Sequence, residues 1–168
     1  SKVKHYRGTD FYIVPQGKGI YYYKKLNTMS HYIDVDYIDA LSKKNISVPN
    51  MKSNILVIGL ELGCIPHWLS TVCPLSNVDV VESNKELITA VKSMEYLPKK
   101  IEIIHDDIFS HTPTIKYDAI ITDMWWEIDN DVISDIQILR EHYNPYLKSN
   151  GKFHTPFIDP YIYEKITN

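Results

Sequence analysis

At 168 residues, with 44% apolar, 12% aromatic and 23% charged, the chain has the material for one globular domain and needs neither disulfides nor a structural metal to hold a core. Its 18 Lys and Arg against 21 Asp and Glu give a net charge of -3, which supplies no general field for phosphate backbones, so no nucleic-acid partner is expected. No apolar run nears the roughly 20 residues of a membrane span and no charged-then-apolar leader opens the chain, so the expected compartment is cytoplasmic, with no membrane partner.

Residues 1–50 carry eight Lys or Arg against four acids. These cations are dispersed among tyrosines and read mainly as a solvated face. Phe11-Tyr12-Ile13-Val14 and Ile20-Tyr21-Tyr22-Tyr23, divided by Pro15-Gln16-Gly17-Lys18-Gly19, predict a β-hairpin. Ile33, Tyr37, Ile38 and Leu41 recur at helical spacing with Asp34, Asp36 and Asp39 between them, predicting a short amphipathic helix over Tyr32 to Leu41. Ser47-Val48-Pro49-Asn50 reads as a linker. The expected division is a hairpin-and-helix unit over 1–50 and an α/β domain over 51–168.

From Asn54 onward, short apolar runs alternate with amphipathic stretches. The runs are Ile55 to Ile58, Val78 to Val81, Ile101 to Ile104, Ala119 to Ile121 and a weaker Lys152 to Phe157. Mostly apolar on both faces, they read as strands of a parallel sheet covered by helices on both sides. Pro66 suits a first helical turn, Ser83-x-x-Glu86 has the form of a capping box, and Gly151 reads as following a helix that holds Val132, Ile136, Leu139 and Tyr143. Cys64 and Cys73 form no CxxC pair and are expected reduced and buried.

In such a sheet ligands bind outside the carboxyl ends of the strands. The first strand leads into Gly59-Leu60-Glu61-Leu62-Gly63, where two glycines let the chain turn tightly beside a ligand. Glu61 would repel a pyrophosphate but accept from an ammonium or hydroxyl group. The second strand ends at Glu82, with Ser83 beside it, where a carboxylate can accept from both hydroxyls of a ribose. After the third strand come His105-Asp106-Asp107-Ile108. Either Asp106 or Asp107 could accept from an exocyclic adenine amine while Ile108 packs on the ring, or the acids with His105 and His111 could form a metal site. Asp123 follows the fourth strand beside Trp125 and Trp126, and reads either as a base or cation-holding group in an aromatic wall or as a helix-approach cap.

On these residues, Ile55-Leu56-Val57-Ile58-Gly59 with Gly63, Val80-Val81-Glu82, Ile104-His105-Asp106 and Ile120-Ile121-Thr122-Asp123, the segment from Ile55 to Phe157 resembles a class I S-adenosylmethionine-dependent transferase. Within that class it is most similar to the spermidine-synthase family. Tyr37-Ile38-Asp39-Ala40-Leu41 sits where that family has Tyr-His-Glu-Ala-Leu, after a similar hairpin. The resemblance implies a doubly wound, mostly parallel Rossmann-like sheet, truncated after its fifth strand, with a small N-terminal hairpin. It also implies S-adenosylmethionine or its decarboxylated form as co-substrate and a small-molecule acceptor. Gly59, Glu61, Gly63, Glu82, Ser83, Asp106, Asp107 and Ile108 would surround the co-substrate, with Asp123 at the reacting end and Tyr37, Trp125 and Trp126 along the acceptor. The chain departs from that family at Leu62, near Trp126 and at Asn27, where it has acids and a glutamine. Degradation of the sulfonium compound, promoted by Asp123 or Glu61, is the rival chemistry, and a non-catalytic binding or oligomerisation module is the third reading. The aromatic surface of Tyr21-Tyr22-Tyr23, Trp125 and Trp126 predicts a homo-oligomer.

Overall fold

The computed structural model describes residues 6–7, 11–16, 19–24, 30–33, 52–122 and 130–156. Four antiparallel strands come first: β1 (Tyr6–Arg7), β2 (Phe11–Gln16), β3 (Gly19–Lys24) and β4 (Ser30–Ile33), in that spatial order. The predicted hairpin is the centre of this sheet, with Tyr12 opposite Tyr23 and Val14 opposite Tyr21. Its outer strands were not foreseen. The helix predicted from Tyr32 is corrected at its start, because Tyr32 and Ile33 pair with Tyr21 and Ile20 in β4, and residues 34–41 lie outside the described residues. Ile13 on β2 is fully buried in the same core as Ile55, Val57 and Val80.

The second sheet is built from β5 (Asn54–Ile58), β6 (Asn77–Glu82), β7 (Glu102–His105), β8 (Tyr117–Thr122) and β9 (Leu147–His154). All its neighbours are parallel and the order is β7-β6-β5-β8-β9. Between them run α1 (Cys64–Val72), α2 (Lys85–Ser93) and α3 (Asn130–Tyr143). The continuous apolar run of β5 has a direct cause. Ile55 and Val57 face a core with Ile65 and Leu69 of α1 and Leu87 and Val91 of α2, while Leu56 and Ile58 face another with Leu139 and Tyr143 of α3. Complete burial of each such side chain is worth about 1.5–3 kcal/mol. Strand order reverses between β5 and β8, and ligands of such sheets bind outside the carboxyl ends at that point.

Three local expectations are corrected. The N-cap of α2 is Asn84, whose Oδ1 accepts from Leu87 N at 3.2 Å, because Ser83 Oγ is already taken by the Ile108 N–H. Gly151 closes no helix. The helix α3 ends at Tyr143, a 3-10 turn follows over Asn144–Tyr146, and Gly151 lies inside β9, where a Cβ would sit 2.9 Å from the Tyr117 carbonyl oxygen. Both cysteines are free, yet only Cys73 is buried, which pushes its thiol pKa up; Cys64 is half-buried. Among the described residues no helix is long and apolar enough to cross a membrane.

Candidate functional site

After β5 the chain turns within five residues. Gly59 N donates to Val81 O at 2.9 Å, and Gly59 and Gly63 take φ of 91° and 77°, the left-handed region that glycine enters without a Cβ clash. Gly63 N closes the turn on Leu60 O at 2.8 Å. Glu61 also lies in that region, at φ 48°, and its residue is 7% exposed. A non-glycine residue there costs roughly 1–2 kcal/mol, so the turn holds it against its local preference. Leu62 is fully enclosed, and Tyr96 donates its hydroxyl hydrogen to the Leu62 carbonyl oxygen.

Glu82 ends β6 beneath this turn. One carboxylate oxygen accepts from Leu60 N at 2.9 Å and the other from Asn84 N at 2.8 Å. The side chain thus ties the glycine turn to the start of α2, two backbone loops 22 or more residues apart. Ser83 extends the arrangement sideways: its Oγ accepts from Ile108 N at 3.2 Å, and its carbonyl oxygen lies 3.1 Å from His105 Nε2.

Asp106 follows β7, held there as its N–H donates to Glu82 O at 3.2 Å. Its side chain is about half exposed, with one oxygen accepting from Asp107 N at 2.9 Å and the other 2.8 Å from His111 Nδ1. The His111 bond, and after it the Asp107 N–H, holds the Asp106 carboxyl below the usual aspartate range. Asp107 faces away into its own loop and accepts from Phe109 N at 2.9 Å. Ile108 is 8% exposed and packs with Leu56, Ile58 and Val81, leaving little of its surface for a ring. Its carbonyl oxygen takes the Tyr143 hydroxyl hydrogen at 2.5 Å, so α3 pins the loop from below.

The fold therefore brings Gly59, Glu61, Gly63, Glu82, Ser83, Asp106, Asp107 and Ile108 to one end of the sheet. Asp123, Tyr37, Trp125 and Trp126 lie outside the described residues. Two participants escaped sequence reasoning: Asn84, whose N–H holds Glu82, and His111 as the partner of Asp106. The sequence carries His111 five residues after Asp106, but that spacing alone does not choose between a metal ligand and a donor. Among the described residues no three His, Cys, Asp or Glu side chains gather to hold a metal.

No family model and no curated protein matches the chain. Solved structures do. A probable spermidine synthase from Corynebacterium glutamicum superposes with a TM-score of 0.67 at 19% identity, over 90% of this chain and 62% of its own. Coclaurine N-methyltransferase, bound to N-methylheliamine and SAH, matches with a TM-score of 0.55 at 15% identity over 71% of this chain and 34% of its own. The glycopeptide N-methyltransferase MtfA complexed with SAH gives 0.54 at 12% identity over 69% and 49%. The chain spans about a third to six tenths of the length of these proteins. It has the class I S-adenosylmethionine-dependent transferase fold. A match over 90% must include most of the residues before Asn54, which matches near 70% need not include.

Proposed function

We propose that this chain binds the adenosine end of S-adenosylmethionine, or of its decarboxylated form, and transfers a group from it to a small acceptor. The observation that carries this reading is the Glu82 seat. An ionised carboxylate has about four lone-pair sites, and two backbone N–H groups use one on each oxygen, which leaves one on each for the two hydroxyls of a ribose. Asp106 has lone pairs to spare for an amine donor in the same way. Two neighbours whose structures hold SAH share this fold, and the larger match to a spermidine synthase favours a likeness that includes the N-terminal strands.

A sulfonium co-substrate carries its own leaving group, so the protein's work is to align the acceptor and, where needed, take a proton. We assign the proton to Asp123, which follows β8 directly, and the acceptor wall to Tyr37, Trp125 and Trp126. The same aromatic residues, with the tyrosines of β3, carry the proposal of self-association, which light scattering at micromolar concentration tests.

Calorimetric titration with S-adenosylmethionine, its decarboxylated form and NAD tests the binding. Affinity for a sulfonium compound and none for NAD supports the reading, and no affinity for either sulfonium compound overturns it. Product analysis then sorts the chemistry. S-adenosylhomocysteine marks methyl transfer, methylthioadenosine formed only with an acceptor marks aminopropyl transfer, and methylthioadenosine formed with none marks degradation.

A further inference from the structure

We infer that His111 is a positioning residue for base recognition: it orients the Asp106 carboxylate toward an exocyclic amine, so that the preference for a 6-amino over a 6-oxo purine depends on the imidazole. This rests on the adenosine reading above and goes beyond it, because no feature of the sequence assigns His111 that role.

An exposed aspartate at a strand end has several rotamers of similar energy, and a ligand that needs one of them must freeze it. Asp106 is about half exposed, yet both of its oxygens are engaged, one by Asp107 N and the other by His111 Nδ1. The Asp107 N–H is a feature of the local chain. The His111 bond comes from a side chain whose own frame is tightly held. Its N–H donates to Asp107 O at 2.8 Å, its carbonyl oxygen lies 2.6 Å from His142 Nε2 on α3, and its ring is about 10% exposed. Tyr143, the next residue of α3, bonds the Ile108 carbonyl in the same loop. The imidazole is therefore braced against the helix on the far side of the loop.

An ionised carboxylate only accepts, so Nδ1 must carry the hydrogen whether the ring is neutral or charged. That fixes the sense of the arrangement. The side chain of Asp106 is about half exposed and its remaining lone pairs can only accept, which an amino group satisfies and a carbonyl oxygen repels. A site that leaves a polar group unpaired against the wrong ligand discriminates by more than one that only loses contact area.

The test compares S-adenosylhomocysteine with its 6-oxo counterpart, S-inosylhomocysteine, by calorimetry in the whole chain and in H111F and H111N. The phenylalanine keeps a ring but donates nothing. The asparagine amide places a donor near the position of Nδ1. The expected results are a preference for the amino compound in the parent chain, a three- to tenfold smaller preference in H111F, and recovery of most of it in H111N. Should H111F weaken both ligands equally and leave their ratio unchanged, His111 is structural and the inference fails while the adenosine reading stands. If the parent chain binds neither, the adenosine reading fails and takes this one with it. Imidazole ¹⁵N NMR supplies a ligand-free check: His111 Nδ1 should carry the hydrogen that Asp106 accepts, and a ring protonated at Nε2 alone would show that the pair does not exist in solution.

Discussion

At the amino ends of the parallel strands, Ser53 Oγ and Ser76 Oγ lie 2.9 Å apart, Asn77 Nδ2 donates to Asn54 Oδ1 at 3.1 Å, and the Tyr117 hydroxyl donates to Asp79 Oδ2 at 2.8 Å. Asp118 takes Asn54 N at 2.8 Å and Lys148 Nζ at 3.1 Å. At the carboxyl ends, Glu82, Asp106 and Asp107 instead accept from backbone N–H groups of the loops that follow the strands. The first set bridges the starts of neighbouring strands through two neutral pairs, two aspartates and one lysine. The second is made of carboxylates that take loop N–H groups and shape the loops. Polar groups of one end hold neighbouring strands together, and those of the other hold the loops where the proposed site lies.

That contrast divides the consequences of substitution. Removing groups at the carboxyl ends should cost function with the fold preserved, and removing groups at the amino ends should cost stability with binding preserved. The largest effect is expected at Asp123, which follows β8 at the carboxyl end. D123N keeps the shape but cannot take a proton, so turnover should fall by roughly 10²- to 10⁴-fold with affinity and melting temperature nearly unchanged. An equally active variant would remove Asp123 from the reacting centre.

Next is Glu82. In E82A the two charge-assisted bonds proposed to a ribose would be lost, at roughly 1.5–3 kcal/mol each before water compensates, so affinity for any adenosine ligand should drop at least about tenfold in a calorimetric titration. Because Leu60 N and Asn84 N lose their acceptor too, some stability goes with it. A variant that melts earlier yet binds equally well would place Glu82 with the structural set.

At the opposite end, Y117F strips the donor from Asp79 and leaves the 2% exposed ring in place. Thermal or denaturant unfolding should show a loss of about 1–2 kcal/mol, with ligand affinity unaltered. A change in affinity without a change in stability would undo the division between the two ends.

The smallest effect concerns acid. The folded-state pKa of Asp106 is depressed, chiefly by the His111 bond, so the stability this pair contributes is present above the ordinary aspartate value and lost as pH falls through the depressed one. Asp106 is about half exposed, so salt should weaken the effect. Carboxyl ¹³C NMR should find Asp106 titrating below the ordinary aspartate value, and H111F should move it back up. A midpoint that ignores the substitution would deny the imidazole its hold on the carboxylate.

What the chain by itself determined is what depends on neighbours in sequence. Ile55 to Ile58 is apolar on both faces and Val78 to Val81 is so except at Asp79, and a strand covered on both faces follows from that pattern. Gly59 and Gly63 announce a turn with positive φ, and an acid at the end of the next strand announces Glu82. Tertiary structure decided every choice of partner. Ser83 lost the helix cap to Asn84 because Ile108 N arrives from 25 residues away, and Gly151 sits in β9 because the Tyr117 carbonyl leaves no room for a Cβ. His111 became a donor to Asp106 because α3 braces its loop. Apolar rhythm is a local property that burial enforces along the chain. A hydrogen bond goes to whichever donor the converging loops bring into reach, and that convergence exists only once the sheet has formed.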